Sequence, residues 1–64
     1  MTLLEIKTAI DNGKLVYWNN PNYIIKKDKI GQWFIFSQFT NSYIGLTHMD
    51  NITLNGREEE FYIG

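Results

Sequence analysis

From Trp33 to Thr47 the chain reads Trp-Phe-Ile-Phe-Ser-Gln-Phe-Thr-Asn-Ser-Tyr-Ile-Gly-Leu-Thr. β-Branched and aromatic residues flank a polar break, the pattern of two β-strands joined by a turn. Successive side chains of a strand point to opposite faces. Here large apolar residues stand at both parities, so both faces of the sheet are apolar. A sheet with one solvated face alternates apolar and polar residues instead. One face must therefore be the floor of a core, and the other needs a cover or a partner.

The 64 residues allow a single domain, 1–64. A chain this short buries only about 60% of its unfolded surface. Small domains of this size usually rely on disulfides, a metal, oligomerisation or dense packing. The chain has no cysteine and one histidine, His48. Disulfides and thiolate zinc sites are thereby excluded, and a histidine-based metal site is disfavoured. Dense packing or oligomerisation remains, and the two Trp, four Tyr and four Phe suit either. The net charge of −1 argues against a domain built to grip phosphate backbones. Its distribution is uneven. Residues 1–44 set five lysines against Glu5, Asp11 and Asp28, for +2; residues 45–64 set Arg57 against Asp50, Glu58, Glu59 and Glu60, for −3. There is no signal-peptide pattern after Met1 and no apolar run of membrane-spanning length, so a cytoplasmic location is expected. Asn51-Ile52-Thr53 matches the glycosylation pattern but carries no weight without secretion.

Residues 2–12 predict a helix. Thr2 and Glu5 have capping-box spacing, Met1 and Ile6 that of a hydrophobic staple, and Gly13 supplies the stop. Leu3, Ile6 and Ile10 form an apolar stripe with Ala9 beside it. Four strands follow: Leu15 to Trp18, Tyr23 to Lys27, Gln32 to Phe39, and Tyr43 to Thr47. Turns at Asn19 to Asn22 and Asp28 to Gly31 are short, which implies an antiparallel meander. Ile52 to Leu54 and Phe61 to Ile63 are candidates for further strand, with Asn55-Gly56 a hairpin-turn signal between them. The expected fold is α+β: an N-terminal helix on an antiparallel sheet of four or five strands, with partial closure into a small barrel as a variant.

Pairing Trp18 with Tyr23, closing the second turn at Asp28 and Gly31, and pairing Phe39 with Tyr43 sorts the faces. Val16, Trp18, Tyr23, Ile25, Phe34, Phe36, Ile44 and Leu46 then form the core floor. Tyr17, Ile24, Lys26, Trp33, Ile35, Phe39, Tyr43 and Thr47 form the second face. A one-residue slip would exchange the faces. Leu54, Phe61 and Ile63 could fold over the second face, a second copy could cover it, or it could stand open to a partner, as contiguous apolar patches do.

No catalytic constellation stands out. His48 beside Asp50 is a weak pair, best read as a solvated loop histidine. Glu58 to Glu60 are sequence neighbours that point different ways, and no Gly-rich phosphate loop occurs. No enzyme activity, cofactor or metal is implied. The candidate binding residues are Tyr17, Ile24, Trp33, Ile35, Phe39 and Tyr43. The function expected is a small non-enzymatic protein-interaction module, self-associating as a homodimer or bound to another protein. The alternative is a single-stranded nucleic-acid binder that stacks bases on the aromatic face near Lys26, Lys27 and Lys29.

Four stretches together resemble a group of small uncharacterised bacterial and phage-encoded proteins. They are Ala9-Ile10-Asp11-Asn12-Gly13-Lys14, Val16-Tyr17-Trp18-Asn19, Tyr43-Ile44-Gly45-Leu46-Thr47, and Leu54 through Ile63. The resemblance spans nearly the whole chain and implies an accessory protein of a phage or mobile element. It brings no catalytic residues with it.

Overall fold

The structure, a computed structural model, describes all residues from Met1 to Gly64. Helix α1 (Leu3–Asp11) is followed by β1 (Val16–Trp18), β2 (Asn20–Lys27), β3 (Trp33–Ser37) and β4 (Ser42–Gly45). A single 3-10 turn at Glu58–Glu60 leads into β5 (Phe61–Ile63). The five strands form one antiparallel sheet in the order β4-β3-β2-β1-β5. The first four make the expected meander. The C-terminal segment becomes the fifth strand, pairing Val16 with Ile63 and Trp18 with Phe61. Both β4 and β5 are edges, so the sheet is open and the barrel variant is corrected.

Helix α1 is closed at both ends by its own sequence. The Thr2 amide donates to Glu5 Oε1 at 2.8 Å, and the Glu5 amide donates to Thr2 Oγ1 at 3.1 Å. At the other end Gly13 is left-handed at φ +79°. Its amide donates to Ile10 at 3.0 Å, and that of Lys14 to Ala9 at 2.9 Å, the bonds of a Schellman motif. The helix sets Ile6 and Ala9 onto one face of the sheet, where they meet Val16, Ile25, Ile35, Leu46 and Phe61 in the core. After β4 the chain turns back over this same face. The Asn55 amide donates to the Leu46 carbonyl and that of His48 to Thr53, both at 2.8 Å, and Thr47 bridges Leu54. Helix and loop thus form a second layer on the inner face alone.

The register of β3 departs from expectation. The Asp28 amide donates to the Gln32 carbonyl at 2.9 Å, and Gly31 is left-handed at φ +87°. The Asp28 carboxylate accepts from the amides of Ile30 (3.0 Å) and Gln32 (2.8 Å). The loop is therefore Lys29-Ile30-Gly31, with glycine at the left-handed position of a three-residue hairpin. Ile25 pairs with Ile35, and Lys27 with Trp33. This one-residue slip from the Asp28–Gly31 closure inverts β3. Trp33 and Ile35 face the core, and Phe34 and Phe36 face away from it. The next hairpin pairs Phe36, not Phe39, with Tyr43, a displacement of three residues. Two odd displacements cancel, so Ile44 and Tyr43 keep their expected sides. The side chain of Trp33 confirms its orientation: Lys7 on α1 lies over its ring at 5.7 Å, and Lys27 at 5.2 Å. Lys27 also reaches Asp11 at the helix end, at 3.5 Å.

Candidate functional site

The outer face of the sheet carries one row that crosses every strand. Tyr62 on β5 is opposite Tyr17 on β1, Tyr17 opposite Ile24 on β2, Ile24 opposite Phe36 on β3, and Phe36 opposite Tyr43 on β4. Directly opposed residues of an antiparallel pair share a face, so all five side chains stand on the side away from α1. Rings meet at both ends of the row, with Tyr17 and Tyr62 centroids 5.5 Å apart and Phe36 and Tyr43 centroids 5.0 Å apart, and Ile24 stands between the two groups. Phe34, in the next row, meets Tyr43 edge-on at 4.9 Å. These are favourable aromatic separations. Tyr17, Ile24, Phe34 and Phe36 are half-buried by their neighbours, whereas Tyr43 is 62% exposed and Tyr62 38%.

Charge is nearly absent from this face. Only Lys26 and Lys27 are charged among all residues of the five strands. Lys27 belongs to the inner side with Trp33. Lys26 stands beside Phe34 and lays its ammonium over the Phe36 ring at 4.6 Å. All seven acidic residues lie in α1, the turns, the 46–57 loop or the 3-10 turn.

Of the candidate binding residues, Tyr17, Ile24 and Tyr43 come together in the row. Trp33 and Ile35 do not: Ile35 is 1% exposed in the core, and Trp33 packs under the helix. Phe39 lies beyond the end of β3, in the loop to β4, and is 89% exposed away from the row. Phe34, Phe36 and Tyr62 are the members that sequence reasoning missed. The three-residue spacing between Asp28 and Gln32, with Gly31 at its end, was the signal that would have found the two phenylalanines.

The free edges offer less than the face. Just past β4, Leu46 donates from its amide to Trp33 at 3.2 Å, so by alternation Tyr43 and Gly45 direct their backbone groups outward. The Gly45 carbonyl is already capped by Asn55 Nδ2 at 3.1 Å. β5 is three residues long. Short or capped edges are how natural sheets avoid strand addition.

His48 and Asp50 do not act as a pair. The Asp50 carboxylate accepts from the amides of Thr53 and Ile52, each at 2.9 Å, and from the Thr53 hydroxyl at 2.7 Å. These donors, the Thr53 amide foremost, hold its pKa down from 3.8 to about 2. Asp50 is thus committed to closing its own loop. No three His, Asp or Glu side chains gather where they could hold a metal ion, and no helix is long and apolar enough to cross a membrane. Comparison with protein-family models, curated proteins and solved structures gives no match to the chain.

Proposed function

We propose that this chain is a small non-enzymatic protein-interaction module that acts through the outer face of its sheet, consistent with the accessory role that the resemblance implies. The observation that carries this is the Tyr62–Tyr17–Ile24–Phe36–Tyr43 row on the face opposite the helix, with Tyr43 and Tyr62 at its ends open to solvent. Tyr and Phe are enriched at interface cores and charged residues depleted there. The face has that composition. A row of rings on a sheet also suits stacked bases, the basis of the rival nucleic-acid reading. Lys26 is the only cation the strands place on this side, too few for the phosphate contacts that sustain such binding.

Photo-crosslinking separates the two. With p-benzoylphenylalanine in place of Tyr43, irradiated cells producing the protein should yield covalent adducts with polypeptide. The same probe at Leu4, 74% exposed on α1, should yield none above background. Equal adducts at both positions, or adducts with nucleic acid at position 43, would count against the proposal.

A further inference from the structure

Resting on that reading, we infer that the occupant of the outer face is a second copy of this chain, packed face to face about a two-fold axis that runs across the strands, along the aromatic row. The first support is charge. The face carries Lys26 and no acid, so any partner must leave that ammonium a place. In a face-to-face dimer the two-fold axis lies in the plane between the sheets, and its two limiting directions are along the strands and across them. An axis along the strands at β2 would set Lys26 on Lys26 of the other copy, and like charges brought together while losing water are costly. An axis along the row turns each copy end for end. Lys26, one row toward the β2–β3 hairpin, then lies over Asn22 of the other copy's β2, with Gln38 on the neighbouring strand. There Gln38 extends the β3 ladder by donating its amide to Asn22 at 2.9 Å. The Gln38 side-chain nitrogen is engaged by the Pro21 carbonyl at 2.9 Å, which leaves its oxygen to accept from Lys26.

The second support is area. The molecule measures 27 × 23 × 22 Å. One broad face therefore offers at most on the order of 600 Å² per copy, and the pair at most about 1,200 Å², the lower bound for a specific stable interface. A dimer of modest affinity is the expectation. Row-on-row packing also gives a domain with a single thin core a second one, as two sheets about 10 Å apart interdigitate their facing side chains.

The absence of cysteine makes the geometry testable. With the axis along the row, residue 43 of each copy faces residue 43 of the other. Facing backbones about 10 Å apart are too distant for a direct disulfide but within reach of a short bis-maleimide. With the axis along the strands, residue 43 faces residue 62, and the two copies of residue 43 lie about four strand spacings, or roughly 19 Å, apart. Purified Tyr43→Cys should therefore cross-link to itself, and an equimolar mixture of Tyr43→Cys and Tyr62→Cys should give no more mixed product than a Leu4→Cys control. Light scattering on the unmodified protein guards against Tyr43→Cys weakening the dimer. Its mass should double toward about 100 μM, and Phe36→Ser with Tyr43→Ser should raise the dissociation constant at least about tenfold. Monomer mass at every concentration overturns the dimer, and mixed 43–62 product overturns the axis. If the dimer fails while position 43 still photo-crosslinks to other polypeptides, the interaction surface stands and only its occupant is wrong. If both fail, or the face takes up a labelled oligonucleotide instead, both are wrong.

Discussion

At the scale of single residues, neighbours in the sequence have opposite duties. Ile35 is sealed in the core, so Ile35→Ala should cost about 2–5 kcal/mol in a monomeric melt. Phe36, its neighbour, meets Tyr43 and Lys26 on the open face. Phe36→Ser should cost the dilute monomer only about 1 kcal/mol, the scale of lost cross-strand and cation–π pairs. Thermal denaturation at low concentration reads both, and equal losses would invert the faces again. Gly56 has a steric duty. A Cβ there would stand 2.6 Å from Trp18 Nε1, which donates to Glu60 Oε1 at 3.3 Å. Gly56→Ala should therefore disturb Trp18 fluorescence and lower the melting temperature, whereas Gly13→Ala should strain only the helix end. Asp50 gives the pH dependence. Its carboxyl titrates at 3.8 when free and about 2 when folded. Its contribution is fully present above pH 3.8 and is lost as pH falls toward 2. Amide signals of Ile52 and Thr53 should report this acid transition, and Asp50→Ala should abolish it while releasing the loop at neutral pH.

At the scale of elements, what could be read from sequence was what is decided locally. Helix α1 was legible almost to the residue because its stop and start are local bonds: Thr2 with Glu5, and Gly13 and Lys14 with the last carbonyls. Thr2→Ala should cost about 0.5–2 kcal/mol, measured by chemical denaturation, with Thr2→Ser retaining most of the stability. The placement of Val16, Trp18, Tyr23 and Ile25 on the core side was legible from composition, but the bounds of β2 were not. Asn20 to Asn22, expected as a turn, belong to β2, Trp18 pairs with Asn20 across a bulge and not with Tyr23, and Ile52 to Leu54 contribute only an isolated bridge at Leu54. Nor was the orientation of β3 legible. Asp-Lys-Ile-Gly is compatible with closing at residue 31 or residue 32, and the choice depends on Gly31 turning left-handed and on Asp28 reaching the Gln32 amide. That single residue decides whether Phe34 and Phe36 or Trp33 and Ile35 are buried. Of the candidate binding residues, Tyr17, Ile24 and Tyr43 therefore stand in the outer row, and Trp33, Ile35 and Phe39 do not. Tyr62 was out of reach for another reason. Its place depends on β5 returning from the far end of the chain to pair with β1, a long-range contact that no local pattern announces.

At the scale of the whole molecule, one sheet has two apolar faces and only one layer of cover. Helix α1 and the 46–57 loop both lie on the inner face, and β5 widens the sheet without folding over it. That arrangement ties stability to association: anything that covers the outer row stabilises the folded state by mass action. The melting temperature should rise with protein concentration, and the rise should vanish in the Phe36→Ser, Tyr43→Ser variant. Because the outer face of the strands is uncharged apart from Lys26, added salt should weaken association little, unlike a phosphate-binding surface, whose affinity falls steeply. The most direct test is a dilution series followed by two-dimensional NMR. Concentration-dependent shifts should concentrate on Tyr62, Tyr17, Ile24, Phe36 and Tyr43, with the core signals of Ile6, Ile35 and Leu46 unmoved. Shifts centred instead on exposed apolar residues of the other side, Leu4, Met49 or Ile52, or none anywhere in the series, would contradict it.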